Sequence, residues 1–136
     1  MEASNLFEKI GSLSVVNNLA NEFYDVMDRD PKAKELRNIH TKNLFMSKKV
    51  MYRFLSHWSG GPEIFNAEYT NSTWLELRHR HVDLNVQHQQ QWLYCMKVAM
   101  SNLKFDEELI QELLSRFSNL INSMVAKRSA LLANSK

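Results

Sequence analysis

The sequence predicts an all-α protein, and two observations carry that prediction. Apolar residues recur at steps of three and four along most of the chain, which is the period of a helix, and no alternating strand pattern accompanies them. Only three glycines and two prolines occur in 136 residues, and they fall between the helical patterns. We therefore expect a few long helices.

A first long helix is expected between Ser12 and Asp30. Ser12 is a suitable N-cap residue, and Pro31 ends the helix because proline cannot continue the hydrogen-bond ladder from within. A short N-terminal segment, residues 1–11, precedes this helix. A short helical piece over residues 31–37 follows it.

A second long helix is expected over about residues 42–58, after a polar corner at 38–41. Gly60-Gly61-Pro62 ends it. The next stretch of about 24 residues, 59–82, is expected to form a loop and one short helix. Long connections of this kind inside a compact domain tend to be functional. This connection favours a functional site over an ordinary four-helix bundle.

Two more helices complete the single predicted domain, residues 1–136. Asp83 or Asn85 is expected to cap the first of them, and Asp106 the second, which has two glutamates in its first turn. Residues 126–136 are expected to form a frayed tail.

The composition is ordinary for a soluble protein and excludes several classes. A formal charge of +2 is too small to indicate a nucleic-acid partner. A single cysteine, Cys95, excludes an intramolecular disulfide and favours a reducing compartment. No apolar run approaches the roughly 20 residues needed to span a bilayer, and the N-terminus lacks the features of a secretory signal. We expect a cytoplasmic protein.

Two of the five histidines lie on the predicted short helix, His79 and His81. Residues two apart point to nearly opposite sides of a helix, so only one of them can face a pocket. Leu75 and Val82 lie on the face of His79, which favours that residue. Trp92, thirteen positions further on, could line the same pocket from the next helix. This arrangement suits a flat apolar cofactor held through one axial nitrogen.

These motifs resemble those of group II truncated haemoglobins. The sequence Leu75-Glu-Leu-Arg78-His79 matches the family's Leu-x-x-Arg-His, and residues 92–96 match its Trp-Leu-x-Cys-Met. Gly60-Gly61-Pro62 resembles the family's Gly-Gly-Pro, and Phe23-Tyr24 resembles its phenylalanine-tyrosine pair. The likeness covers roughly residues 11–125.

The resemblance implies a two-over-two helical sandwich around haem b. His79 would be the proximal ligand of the iron, with His81 kept as a reserve ligand. Tyr24, Trp92 and His40 would form a polar distal cage that stabilises a bound ligand. His40 is also a candidate sixth ligand of the iron when no external ligand is bound.

The resemblance further implies a set of haem contacts. Ser47 resembles the small gate-lining residue of the family, and Arg78 is placed to pair with a propionate. The apolar residues of this set are equally well explained as residues of the hydrophobic core. The full set is Tyr24, His40, Ser47, Met51, Phe54, Leu55, Arg78, Val82, Leu84, Trp92 and Met96.

Several positions depart from the family pattern. Asn71-Ser72-Thr73 replaces the usual Gly-His-Pro, His81 replaces a proline, and Gln89-Gln90 replaces an Arg-Asp pair. We therefore expect this chain to differ from its relatives in the loop before the proximal histidine.

The implied function is the binding of dioxygen and other small ligands, such as nitric oxide, carbon monoxide or peroxide. A polar cage suits detoxification or ligand redox chemistry better than bulk oxygen transport. One alternative is a peroxidase-like or nitric-oxide-consuming haem enzyme that needs an external electron donor. Another is a cofactor-free helical interaction module. We expect a monomer or weak dimer with no nucleic-acid or membrane partner.

Overall fold

Six α-helices and one short 3₁₀ helix make up the part of the chain that the structure, a computed structural model, describes. That part is residues 6–61 and 85–134, with side chains described as far as residue 123. No strand occurs in these ranges, and the all-α prediction is confirmed. The elements are α1 (Leu6–Ile10), α2 (Leu13–Arg29), the 3₁₀ helix (Pro31–Ala33), α3 (Lys34–Asn38), α4 (Phe45–Trp58), α5 (Val86–Asn102) and α6 (Glu107–Asn134).

The four long helices form two packed pairs. Helix α2 packs against α4, and α5 packs against α6; α2 also crosses onto α5, which joins the two layers. Each long helix contributes a large, fully buried side chain to the shared core: Phe23, Phe54, Met96 and Phe117. This is the predicted two-over-two arrangement. None of the helices in residues 6–61 and 85–134 is long and apolar enough to cross a membrane.

Helix α2 begins and ends where its caps predict. The Ser12 hydroxyl accepts a hydrogen bond from the Val15 N–H at 3.4 Å. At the other end, the Asp30 carboxylate accepts from the Lys32 N–H at 3.0 Å, and Pro31 starts the 3₁₀ helix. Local side-chain chemistry therefore sets both ends of this helix.

The corner between α3 and α4 is held by side chains that bond to backbone. The Arg37 guanidinium donates to the carbonyl oxygens of Thr41 and Lys42, at 2.9 and 2.8 Å. The Asn43 side chain accepts from the Phe45 N–H at 2.8 Å. Helix α4 therefore begins three residues later than the predicted residue 42, because this asparagine bonds the backbone in a turn instead of a helix.

Helix α4 ends at Trp58, before the two glycines, as predicted. Gly60 has a φ of +97°, which a glycine adopts without a steric cost. The Phe7 N–H donates to the Ser59 carbonyl at 2.8 Å, so that α1 docks on this turn. A Cβ atom at Gly61 would overlap the ring of Phe7. The second glycine thus makes room for the N-terminal helix.

Asn85 is the N-cap of α5, and its partner is a histidine. The Asn85 side chain accepts from the His88 N–H at 2.8 Å, while the His88 Nδ1 accepts from the Asn85 N–H at 3.2 Å. This reciprocal pair is a capping box with histidine in the third position. It decides between the two predicted caps, Asp83 and Asn85, in favour of Asn85.

The last helix extends into the predicted tail, residues 126–136. It begins at Glu107, directly after Asp106, and its backbone stays helical to Asn134, where a frayed tail was expected from residue 126. Residues 126–134 consist mainly of strong helix formers such as alanine, leucine, lysine and arginine, with no glycine or proline. The high helix propensity of this stretch explains the extension.

A hydrogen bond between Tyr94 and Asp30 ties the end of α2 to α5. The Tyr94 hydroxyl donates to the Asp30 carboxylate at 2.6 Å. This bond favours the protonated phenol and the ionised carboxylate. It therefore raises the pKa of Tyr94 and lowers the pKa of Asp30 from their usual values of 10.0 and 3.8.

We predict that Gly61→Ala lowers the free energy of unfolding by about 1–3 kcal/mol, because the new methyl group overlaps the Phe7 ring. Urea denaturation measures this change. In a Phe7→Ala background the overlap is gone, and the same substitution should cost much less. An equal cost in both backgrounds would contradict the packing explanation.

We predict that Tyr94→Phe lowers Tm by a few degrees at neutral pH. Because the tyrosine pKa is raised in the folded protein, the stabilisation that it provides is lost as the pH rises through that pKa. Because the aspartate pKa is lowered, the stabilisation that it provides is lost as the pH falls through that pKa. The Tm difference between wild type and Tyr94→Phe should therefore be constant between about pH 5 and 9 and shrink outside that window. A difference that stays constant above pH 10.0 would refute the role of this bond.

Candidate functional site

A continuous cluster of aromatic rings joins the two helix layers. The Phe23 ring lies 4.9 Å from Tyr24, edge-on, and 5.0 Å from Trp92, between ring centroids. Trp92 in turn meets Phe117 at 5.2 Å, and Phe117 stacks on Trp58 at 4.6 Å. Two of the predicted distal residues, Tyr24 and Trp92, therefore touch the same buried ring.

The third predicted distal residue, His40, lies in the corner after α3 and faces Tyr24. The two ring centroids are 5.8 Å apart, with the rings inclined at 71°. Tyr24 is buried, and His40 and Trp92 are half-buried. His40 thus contacts Tyr24 directly, and Trp92 is linked to Tyr24 through the ring of Phe23, so that α2, the corner and α5 each supply one of the three polar rings.

The His40 imidazole is held by a backbone carbonyl. Its Nδ1 lies 2.8 Å from the carbonyl oxygen of Leu36. A carbonyl can only accept a hydrogen bond, so Nδ1 carries the proton. In a neutral ring, Nε2 is then the unprotonated nitrogen, which can accept a hydrogen bond or ligate a metal.

Apart from the half-buried Trp92, the predicted contacts on α4 and α5 are buried. Ser47 and Met51 lie one turn apart on the inner face of α4, while the preceding Phe45 and Met46 are exposed. Met51, Phe54, Leu55 and Met96 belong to the main hydrophobic core. Their burial is accounted for by that core, and the role in contacting a cofactor stays a prediction.

The proximal side of the predicted site lies outside the described residues. His79, the reserve ligand His81, and the predicted contacts Arg78, Val82 and Leu84 all fall in residues 62–84. Their predicted roles stay predictions.

Gln91, the residue before Trp92, bonds the short helix that precedes His40 and was not among the predicted residues. Its side chain is buried, its Oε1 accepts from the Leu36 N–H at 2.9 Å, and its Nε2 donates to the Glu35 carboxylate at 2.7 Å. A signal was present in the sequence, because Gln91 lies one turn before Cys95 on the buried stripe of α5. A polar residue on such a stripe usually has a buried partner.

Cys95 lies on the same stripe and is a packing residue. It is fully buried, and burial together with the charge of Asp30 raises the pKa of its thiol to about 12. The side chain is therefore a neutral thiol at physiological pH, which lacks the reactivity of a thiolate.

The chain matches a known family over most of its length. The model of the bacterial-like globin family covers residues 5–126. The group 2 truncated hemoglobin YjbI of Bacillus subtilis (strain 168) is 26% identical over 124 residues, which are 91% of this chain and 90% of that protein.

Several solved structures also resemble this chain over most of its length. A cold-adapted truncated hemoglobin from the Antarctic marine bacterium Pseudoalteromonas haloplanktis TAC125 superimposes with a TM-score of 0.80 and 30% identity, covering 90% of this chain and 98% of that one. A group II 2-on-2 hemoglobin from Agrobacterium tumefaciens gives a TM-score of 0.80 and 27% identity, covering 91% and 95%. The chain therefore belongs to the bacterial-like globin family, and its fold is that of the group II truncated haemoglobins.

Proposed function

We propose that this protein binds haem b and, through it, dioxygen or another small diatomic ligand. Globins hold haem iron through a proximal histidine, and membership of a globin family supports a haem-binding protein. The residue proposed for that role is His79, with His81 as the reserve. The observation that carries the proposal on the distal side is the grouping of Tyr24, His40 and Trp92.

The chemistry of this group fits a small polar ligand. The Tyr24 hydroxyl and the Trp92 indole N–H are hydrogen-bond donors, and the His40 Nε2 is an acceptor. Phe23, which contacts both Tyr24 and Trp92, is apolar and fully buried. Donors in apolar surroundings stabilise a ligand that carries partial negative charge more strongly than they would in water.

When bound, haem would supply the iron coordination position at which a diatomic ligand is held. The Tyr24 hydroxyl and the Trp92 N–H would then donate hydrogen bonds to that ligand. The His40 ring, packed edge-on against Tyr24 at 5.8 Å between ring centroids, would orient the tyrosine without taking its single hydroxyl proton. Without an external ligand, the His40 Nε2 would be the nitrogen that coordinates the iron as a sixth ligand, because Nδ1 donates to the Leu36 carbonyl.

These donors favour retention of the ligand over its release. Slow release suits redox chemistry on the ligand, such as nitric oxide or peroxide detoxification, better than bulk oxygen transport. A peroxidase-like or nitric-oxide-consuming activity is the second candidate function. Either reaction would require an external electron donor. Turnover with a reductant at a rate above that of free haem would distinguish this activity from ligand binding alone.

We predict that the purified protein binds haemin with a Soret band, and that His79→Ala abolishes the band because the axial nitrogen is lost. Absorption spectra of the ferric, ferrous and carbonmonoxy forms measure this. His81→Ala is the matched control and should retain the spectrum. Loss of the band only in His81→Ala would move the axial ligand to that residue. Absence of a Soret band in the wild type would favour the cofactor-free module.

We predict that Tyr24→Phe and Trp92→Phe each raise the dioxygen dissociation rate by about tenfold, since each removes one hydrogen bond of about 1.4 kcal/mol from the bound ligand. Stopped-flow displacement of dioxygen by carbon monoxide measures the rate. Tyr94→Phe removes a hydroxyl that bonds Asp30 and should leave the rate unchanged. Equal rates in all four proteins would contradict the proposed cage.

A further inference from the structure

Leu36 connects two side chains that lie far apart in the sequence. Its backbone N–H donates to the Gln91 Oε1 at 2.9 Å, and its carbonyl oxygen accepts from the His40 Nδ1 at 2.8 Å. Leu36 itself is fully buried. One residue of α3 therefore links the carboxamide of an α5 residue to the imidazole of the distal corner.

Helix α3 needs a stabilising hydrogen bond from another part of the chain. It has only five residues, and its N-cap residue, Ala33, provides no side-chain hydrogen bond. So short a helix has little stability of its own in water. The Gln91 side chain supplies the acceptor that the buried Leu36 N–H needs, and a buried N–H without an acceptor is costly.

The Gln91 side chain is itself held in place by a second hydrogen bond. Its Nε2 donates to the Glu35 carboxylate at 2.7 Å, so that both ends of the carboxamide bond adjacent residues of α3. The next residue along α5 is Trp92, which packs on Phe23 and Phe117. Two consecutive residues of one helix thus face α3 and the aromatic cluster.

We propose that Gln91 is a positioning residue for the distal site. It holds Leu36 in place, and the Leu36 carbonyl then holds the His40 imidazole, with Nδ1 protonated, against Tyr24. Gln91 thereby sets how firmly the site retains a bound diatomic ligand. This inference rests on the proposed function of His40 in ligand retention.

Gln91→Met tests the inference, because methionine keeps the length and burial of the side chain and removes both hydrogen bonds. Gln87→Met is the matched control. Gln87 lies one turn earlier on α5, is exposed, and donates to the same Glu35 carboxylate at 3.2 Å, but it has no bond to Leu36. We expect Gln91→Met to raise the dioxygen dissociation rate about fivefold, the size of one ordinary net hydrogen bond, and Gln87→Met to leave the rate unchanged.

A double-mutant cycle with His40→Leu separates positioning from general loosening of the fold. If Gln91 acts through His40, Gln91→Met has no further effect on the rate in the His40→Leu background. An additive effect, an equal effect of Gln91→Met and Gln87→Met, or no effect of His40→Leu overturns the inference. A wild-type protein without a haem spectrum would overturn the proposed function instead.

A second readout does not depend on ligand kinetics. In the diamagnetic carbonmonoxy form, ¹⁵N NMR of the His40 ring, assigned by comparison with His40→Leu, reports which nitrogen is protonated. We expect a single Nδ1-protonated tautomer in the wild type and in Gln87→Met, and a mixture of tautomers in Gln91→Met. An unchanged tautomer in Gln91→Met would contradict the proposed positioning role.

Discussion

The packing of Phe23 against Trp92 is the contact on which the rest of the described structure depends. Phe23 is fully buried on α2, the helix that packs against both α4 and α5. Its ring lies 5.0 Å from Trp92 and 4.9 Å from Tyr24. One apolar ring therefore joins the two helix layers and lies between the two polar side chains proposed for the ligand site. Aromatic packing of this kind fixes position with little freedom, because protein interiors are close-packed.

Hydrogen bonds, and not aromatic packing, hold the corner that contains His40. Helix α3 is too short to be stable on its own, and its neighbours hold it in place. Gln91 bonds the Leu36 N–H from α5, and Arg37 bonds the carbonyls of Thr41 and Lys42. The site thus combines a rigid apolar part, which holds Tyr24 and Trp92, with a hydrogen-bonded part, which holds His40.

Features that depend on neighbouring residues can be predicted from the sequence, whereas contacts between distant parts of the chain cannot. The helical periods and the caps at Ser12 and Asn85 depend on residues within one turn, and a single sequence contains them. The bond between Gln91 and Leu36 spans 55 positions and depends on how α5 crosses α3, which no local pattern encodes. His40 was proposed for the distal site by family resemblance, whereas its bond to the carbonyl of Leu36, four residues earlier, was not predicted. Tertiary contacts such as the bond between Gln91 and Leu36 explain why candidate site residues could be named from the sequence while the bonds that position them could not.

Infrared spectroscopy of the carbonmonoxy complex tests the central claim most directly, because the C–O stretching frequency responds to hydrogen-bond donors beside the ligand. If Tyr24, Trp92 and His40 act on one ligand as proposed, the wild-type band should lie below that of a pocket without donors. It should move to higher frequency in Tyr24→Phe. A wild-type band at the frequency of an apolar pocket, unmoved by Tyr24→Phe, would contradict the claim that these side chains share one ligand site.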